Sequence, residues 1–224
     1  MTPDEWSIVL LSLRVGLVAT AATLPIAFAL AWLLARGKFP GKILLEAIIY
    51  LPLVVPPVVT GWFLLLAFAP AGPFGALSDK VLFRWTGAAI AAGVMALPLM
   101  VRAIRLSIEA VDHRLESAAR TLGAGPWRVF RTITLPLSLP GLLAGAVLGF
   151  ARSLGEFGAT ITFVSNVPGQ TQTLPLAIYA ALQQPDGDAI ALRLSALSIA
   201  IALVALVLSE LLARRMRTAL IHGV

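Results

Sequence analysis

Five apolar segments, each long enough to cross a lipid bilayer, constrain this chain more than any other feature of its sequence. A transmembrane helix needs about 20 predominantly apolar residues. The segments that meet this requirement are 7–35, 43–69, 86–107, 139–162 and 191–213. Because 59% of the 224 residues are hydrophobic and 12% are charged, the chain cannot cover itself with polar surface and needs lipid as its solvent. The segments predict an all-α, polytopic membrane helix bundle, with one transmembrane domain over residues 7–213 and a basic tail at 214–224.

The basic residues of the loops predict the orientation of the bundle. Lys and Arg are enriched in the cytoplasmic loops of membrane proteins, and here they collect after the first, third and fifth apolar segments. The N-terminus and the region before the fifth segment are acidic or nearly neutral. We therefore expect five spanning helices in the inner (cytoplasmic) membrane, with the N-terminus outside and the C-terminus in the cytoplasm. A shorter apolar stretch at 174–182 is expected to form a short helix on the outer side, and a sixth short span there is left open.

Charge and cysteine content exclude several classes of function. The formal net charge of +6 does not predict nucleic-acid binding, because no nucleic-acid-binding module accompanies it and cytoplasmic loops account for the excess of basic residues. The chain has no cysteine and no cluster of histidines and acids, so we expect neither a metal site nor a catalytic residue. Asp4 and Glu5 stand where a signal peptide carries positive charge, and we expect the first helix to be retained.

The segment 109–138, between the third and fourth apolar segments, is too polar for the membrane interior and too patterned for a linker. Apolar residues at helical spacing, without glycine or proline, predict an amphipathic helix over 111–122. The sequence Gly-Ala-Gly-Pro at 123–126 ends that helix, since glycine permits a left-handed cap and proline can begin the next helix. A second short helix is expected to start near Trp127. Such a pair of helices could insert into a groove of a partner protein or lie on the lipid headgroups, and the pattern leaves both interpretations open.

The same segment resembles the EAA loop of ABC importer permeases, which reads Glu-Ala-Ala, three residues, Gly, nine residues, Ile, any residue, Leu-Pro. Here SAARTLG at 117–123 is followed at the expected spacing by Ile133, Leu135 and Pro136. In that family the loop is the coupling element that docks on the nucleotide-binding subunit. The motif's glutamate position holds a serine in this chain, with a glutamate one step earlier, and whether that glutamate replaces the missing carboxylate is open. The resemblance and the helix pattern together indicate these ATPase-coupling residues: Glu116, Ser117, Ala118, Ala119, Gly123, Trp127, Leu135 and Pro136.

The resemblance becomes narrower along the rest of the chain. The string LPLVVPPVVTG in the second segment and GFARSLGEFGATITFVSNVPGQTQTLPLAIY at 149–179 are similar to permeases of the molybdate importers and, more distantly, of the sulfate importers. This implies a non-enzymatic permease subunit for a tetrahedral oxyanion, with molybdate, tungstate and sulfate left open. The implied partners are an ATP-binding cassette subunit, a periplasmic or extracellular oxyanion-binding protein and a second copy of this chain. Because no phosphate-cradling G-x-x-x-x-G-K-[ST] string occurs, ATP and Mg are expected on the partner subunit, and this chain is expected to hold no cofactor.

Charges and prolines inside the apolar segments indicate where a translocation path could lie. Arg152 and Glu156 are four residues apart, so a continuous helix would place them on one face. A charge at their expected depth costs at least a few kcal/mol. The two either line the path, with Arg152 attracting an oxyanion, or neutralise each other and lock two helices.

Pro56 and Pro57 must kink or break the second segment, and this break lies either in the path or harmlessly inside the bundle. Thr160 continues the polar stretch toward the outer end, where it either lines the mouth or bonds a neighbouring helix.

Two other classes of membrane protein, a secondary transporter or channel and a membrane-embedded enzyme, would require sequence features different from those of an importer permease. A self-sufficient secondary transporter or channel for anions is the main alternative. Such a protein usually shows inverted repeats and intramembrane carboxylates for coupling ions, whereas Glu156 is the one deep acid here. A membrane-embedded enzyme is disfavoured because the sequence contains no catalytic cluster.

Overall fold

The computed structural model describes the backbone of residues 3–222 and the side chains of residues 4–207 and 211. Within this part of the chain the secondary structure is helical, as the apolar segments predict, and contains no strand. A 3-10 turn at Gly75–Leu77 and a π-helical turn at Phe130–Thr134 accompany the α-helices. The helices are α1 Pro3–Arg36, α2 Lys42–Val54, α3 Pro57–Phe68, α4 Ser78–Val81, α5 Trp85–Glu109, α6 His113–Thr121, α7 Pro126–Val129, α8 Leu135–Leu154, α9 Gly158–Val164, α10 Leu174–Leu182 and α11 Asp188–His222.

Four helical stretches among the described residues are long and apolar enough to cross a membrane, and a bent pair of helices makes a fifth candidate. The pair is α2 and α3, which meet at an angle of 113°. The second apolar segment is therefore not one continuous helix. The break lies at Val55 and Pro56, both in extended conformation, because a residue before proline is driven out of the helical region and each proline lacks a backbone donor. The four unbroken stretches are Asp4–Arg36, Trp85–Glu109, Pro126–Leu154 and Asp188–Val207.

The fourth apolar segment also differs from the single helix expected over 139–162. Its spanning stretch begins earlier, at Pro126, and ends at Leu154. After a non-helical connection at 155–157 the chain forms the short helix α9. Gly155 is the first residue of this connection and Gly158 directly follows it. Glycine is a poor helix former. As a result Arg152 lies in the last turn of α8, whereas Glu156 lies beyond that helix.

Helix α5 is the centre of the bundle. It packs against α1 on one side and α8 on the other, and its residues Ala88, Ala91 and Ala96 are fully buried. Small residues allow backbones to approach closely, which favours helix association where lipid removes the hydrophobic driving force. Helix α8 contributes three buried glycines to the same contact, at 141, 145 and 149. The exposed apolar residues of α11, α2 and α3 lie at the periphery and face lipid or another protein.

Helix α10 coincides with the short helix expected at 174–182. Pro175 stands in its first turn, where the missing backbone donor has no cost. Leu174 and Ala177 are buried against Val9 of α1 and Leu194 of α11. The helix is therefore a packed part of the bundle that joins the first and last spans.

The contact between α5 and α8 should tolerate no side chain at Gly141. A β-carbon added there would overlap the β-carbon of Ser107, and overpacking typically costs about 1–3 kcal/mol. We expect Gly141→Ala to lower the thermal unfolding temperature of the detergent-solubilised protein, followed by circular dichroism. Gly155→Ala is the matched control, because the nearest atom to its added β-carbon is the Ala151 carbonyl oxygen at 3.9 Å. Equal unfolding temperatures for the two variants would contradict the close contact between α5 and α8 at Gly141.

Candidate functional site

The coupling element, defined here as residues 112–134, contains two short helices separated by a glycine turn. Asp112 caps α6 by accepting a hydrogen bond from the Arg114 amide through Oδ1 at 2.8 Å. At the other end Gly123 has φ +84°, a left-handed conformation that favours glycine. The amide of Ala124 donates to the carbonyl oxygen of Ala119, and that of Gly123 donates to Arg120, which is the Schellman pattern of helix termination. The glycine turn predicted from the sequence is therefore present.

Several of the predicted residues are exposed on the coupling element, and these exposed residues define its outward surface. Ser117, Ala118 and Gly123 are exposed, and Trp127 exposes 67% of its surface. Leu122, which the sequence identifies only as a helix position, exposes 88%. Ala119 is half-buried, and the half-buried Leu135 and Pro136 form the first turn of α8. The motif's Leu-Pro pair therefore marks the point where the coupling element continues into a spanning helix.

Glu116 points the other way, into the protein. The residue is 7% exposed, and its carboxylate is held by both ends of the Arg36 guanidinium, with Nη2 to Oε1 at 2.7 Å and Nη1 to Oε2 at 3.1 Å. The Thr134 hydroxyl donates to Oε1 at 2.7 Å. The Nδ1 atom of His113 lies 2.7 Å from Arg36 Nη1 and 3.6 Å from Glu116 Oε2. Buried in this way, Glu116 cannot present a carboxylate on the outward surface in place of the serine at 117.

These surroundings set the charge state of Glu116. Burial by itself raises the pKa of a carboxyl group. The hydrogen bond from Thr134, the positive charge of Arg36 and the contact with His113 outweigh that effect, so the pKa of Glu116 lies below its ordinary value of 4.5. The group is therefore an anion at neutral pH, paired with a cation from the end of α1.

Aromatic residues form a second contact between the coupling element and α1. The ring of Phe130 packs edge-on against Trp32 of α1, with centroids 4.9 Å apart, and stacks with Trp127 at 5.3 Å. Phe28 lies 6.3 Å from the same ring. Between this cluster and the Glu116 ion pair is a cavity of about 400 Å³. Two different kinds of contact thus connect α1 to the element.

Arg152 and Glu156 do form an ion pair, although they are not on one continuous helix. Arg152 Nη1 lies 2.7 Å from Glu156 Oε2. The other carboxylate oxygen, Oε1, accepts a hydrogen bond from the amide of Ala159 at 2.8 Å, in the first turn of α9. Glu156 is 2% exposed, whereas the Arg152 side chain is 27% exposed. One carboxylate therefore joins the end of α8 to the start of α9 and leaves the arginine partly accessible.

The structure places the two broken segments side by side. Helices α3 and α9 pack closely. A β-carbon on Gly158 would lie 2.8 Å from the β-carbon of Pro57, and one on Gly61 would lie 2.9 Å from the α-carbon of Ala159. Pro56 is exposed at the bend. Thr160 is 2% exposed and lies inside the bundle, so in this conformation it does not line an open mouth.

The lowered pKa of Glu116 predicts a pH-dependent contribution to stability. A group whose pKa is depressed in the folded state contributes stability above its unfolded pKa and loses that contribution as the pH falls through the folded value. At pH 7 we expect Glu116→Gln to lower the unfolding temperature by about 2–4 °C, the shift for roughly 1 kcal/mol in a chain of this size. Thermal unfolding at a series of pH values should show a constant difference from wild type above pH 4.5 and a shrinking one below it. If the difference in unfolding temperature between wild type and Glu116→Gln grew on acidification, the pKa of Glu116 would not be lowered in the folded protein.

Comparisons with known proteins find relatives that match nearly the whole chain. The chain is 57% identical over 219 residues, 96% of each chain, to the molybdenum transport system permease protein ModB of Escherichia coli K12. It is 53% identical over 224 residues, 98% of each chain, to ModB of Haemophilus influenzae. In fold it resembles a bacterial alginate ABC transporter crystallised with an alginate pentasaccharide-bound periplasmic protein, with a TM-score of 0.77 at 18% identity, covering 96% of this chain and 80% of that one.

One protein family matches most of the chain. Residues 23–218 fit the family described as "Binding-protein-dependent transport system inner membrane component". A match of this extent, together with the helical spans and the coupling element, makes the chain a multi-pass membrane protein and a transport component. It belongs to the family of inner membrane components of binding-protein-dependent transport systems.

Proposed function

We propose that this chain is the permease subunit of an ATP-driven importer of molybdate. The observation that carries the proposal is its 57% identity, over 96% of both chains, to a molybdenum transport system permease. The permease has to admit a tetrahedral dianion, so tungstate and sulfate are related substrates that an uptake assay must compare. The chain supplies the path through the membrane and binds no cofactor itself.

The outward surface of the coupling element is the proposed docking site of a separate ATPase subunit. Leu122 and Trp127 are largely exposed on a cytoplasmic element, and exposed apolar patches commonly mark protein interaction sites. ATP and Mg would be bound by that partner, because the chain lacks a phosphate-cradling loop. A single helical stretch, Pro126–Leu154, runs from the element toward Arg152, a length of roughly 43 Å at 1.5 Å per residue. Movement of the docked element would reach the helix break through this stretch.

A second copy of the chain and a periplasmic binding protein complete the proposed assembly. Lipid cannot satisfy the backbone of a broken helix, yet Pro56 at the bend between α2 and α3 is exposed, and Val54 beside it exposes 84% of its surface. Covering this bend with the same region of a second copy fits the common twofold symmetry of membrane and soluble oligomers. The alginate transporter of similar fold was crystallised with a periplasmic protein, and we propose a partner of that class, here one that binds an oxyanion.

In this proposal Arg152 is the cation of the path. Its side chain is partly accessible and makes one ion pair, to Glu156. The positive charge would lower the barrier for an oxyanion, and the neighbouring carboxylate would limit how tightly the anion is held, since passage requires weak binding. Glu156 does not suit a proton- or sodium-coupled transporter, because its two oxygens are already engaged by Arg152 and by the Ala159 amide. The observed contacts thus favour the ATP-driven function over the secondary transporter.

The docking proposal predicts that a charge at Leu122 separates the permease from its ATPase. Leu122→Glu should abolish copurification of the ATPase subunit, since hot-spot residues of interfaces contribute about 2 kcal/mol or more. The matched control is Leu182→Glu, which changes another exposed leucine, 57% exposed, at the end of α10 on the side expected to be outside. Undiminished copurification with Leu122→Glu, and membrane binding of the isolated element instead, would favour a headgroup-bound helix.

The path proposal predicts different behaviour for single and double neutral variants of the Arg152–Glu156 pair. If the pair only locks helices, the double variant Arg152→Gln/Glu156→Gln should transport normally, because a neutral replacement of a buried ion pair is often tolerated. If Arg152 lines the path, both Arg152→Gln and the double variant should lower radiolabelled molybdate uptake about tenfold or more. Arg193→Gln, which removes the ion pair to Glu5, is the control for a lost ion pair elsewhere. Normal uptake by Arg152→Gln would refute the path role.

A further inference from the structure

The carboxylate of Glu116 connects three separate parts of the chain at the cytoplasmic end of the protein. It projects from α6, receives Arg36 from the last residue of α1, and accepts the hydroxyl of Thr134 from the end of the π-helical turn. Arg36 and Glu116 are 80 residues apart in the sequence. The Arg36 side chain is 18% exposed and that of Glu116 9% exposed, so water screens this pair much less than it screens a surface pair.

Arg36 at the end of α1 contacts two residues of α6, Glu116 through this ion pair and His113 beside it. Helix α6 otherwise packs mainly against α7 and the π-helical turn, which belong to the same coupling element. The π-helical turn has its own attachment to α1 through Phe130 and Trp32. The two halves of the element are therefore tied to one helix, α6 by charge and the π-helical turn by aromatic packing.

Helix α1 is well placed to carry a displacement from the cytoplasm into the bundle. It is a single helix from Pro3 to Arg36, and it packs along α5 and also contacts α8. A force applied to α6 reaches it at its last residue, since a bidentate arginine–carboxylate contact fixes both distance and orientation. This connection is separate from the direct continuation of the element into α8.

We propose that Glu116 is a positioning residue that couples the docked helix α6 to α1 through Arg36, so that the coupling element and α1 move as one body during the transport cycle. The inference rests on the proposed function, because it assumes that an ATPase displaces the coupling element. Glu116 touches neither the ATPase nor the substrate in this role. Its outward neighbour Ser117, whose hydroxyl is bonded to the carbonyl oxygen of His113, stands at the docking surface instead.

Distance measurements between spin labels test the connection itself, without substrate or ATPase. The chain has no cysteine, so a pair of labels can be placed at Leu33→Cys on α1 and Arg114→Cys on α6. In the full-length permease in lipid nanodiscs, we expect a narrow distance distribution in the otherwise wild-type background. Glu116→Gln and Arg36→Gln should each broaden it. Glu46→Gln, which removes a different cytoplasmic ion pair, to Arg105, should leave it narrow.

Transport measurements on the assembled complex test whether the connection matters for coupling. Glu116→Gln should lower molybdate uptake about tenfold, while the ATPase subunit still copurifies and ATP hydrolysis becomes less dependent on the loaded binding protein. Glu46→Gln should retain uptake. A purely structural role would lower uptake and hydrolysis together in proportion to the amount of folded complex.

Besides a proportional loss of uptake and hydrolysis, three outcomes would overturn the inference, and each is distinct from failure of the proposed function. They are an unchanged distance distribution in both Glu116→Gln and Arg36→Gln, unchanged uptake and coupling in Glu116→Gln, and loss of ATPase copurification, which would make Glu116 part of the docking contact. If the wild-type complex transports no oxyanion, the proposed function fails, whereas the distance distributions still report on the connection between α1 and α6.

Discussion

The requirement that lipid imposes on the backbone is the constraint on which the rest of this structure depends. In the hydrocarbon region every amide and carbonyl must be bonded within the protein, which is why the apolar segments form helices. The same requirement applies to the two places where a helix stops inside an apolar segment, at 55–56 and at 155–157, because the backbone groups there also need partners. These interruptions are adjacent because α3 and α9 pack against each other through Gly61 and Gly158. A chain that interrupts two helices at one place in a membrane needs protein or water there.

Buried carboxylates join separate helices of this protein. Glu156 joins α8 to α9 by pairing with Arg152 and accepting the Ala159 amide. Glu116 joins α6 to α1 by pairing with Arg36. Each anion is buried and ion-paired, and each paired cation is more exposed than its partner. A buried ion pair is weak evidence for stability, but it fixes the position of the two segments that it joins relative to each other. The two bridges lie at opposite ends of the route from the cytoplasmic element to the helix break.

The sequence predicted those features that depend only on residues close together along the chain. Gly123 predicted a left-handed turn between two short helices, because no other residue adopts that conformation so readily, and the turn has that form. Pro56 and Pro57 predicted a break, because their effect on the backbone is local. The end of α8 at Leu154 was not predicted, since the residues around it contain no proline and the apolar pattern continues to 162. The glycines at 155 and 158 were the available signal, but a glycine interrupts a membrane helix only when the neighbouring packing favours it.

The sequence by itself determined that the chain resides in a lipid bilayer, that it folds into spanning helices, and that it carries a coupling element with a family motif. These conclusions follow from apolar length, helical spacing and the order of residues along the chain. Tertiary structure decided the surroundings of the buried carboxylates Glu116 and Glu156. Glu116 faces inward because Arg36 and Thr134 meet it there, and Glu156 accepts an amide of α9 because α8 ends two residues before it. The partner of a buried side chain depends on which distant segments pack together, and spacing along the chain does not contain that information.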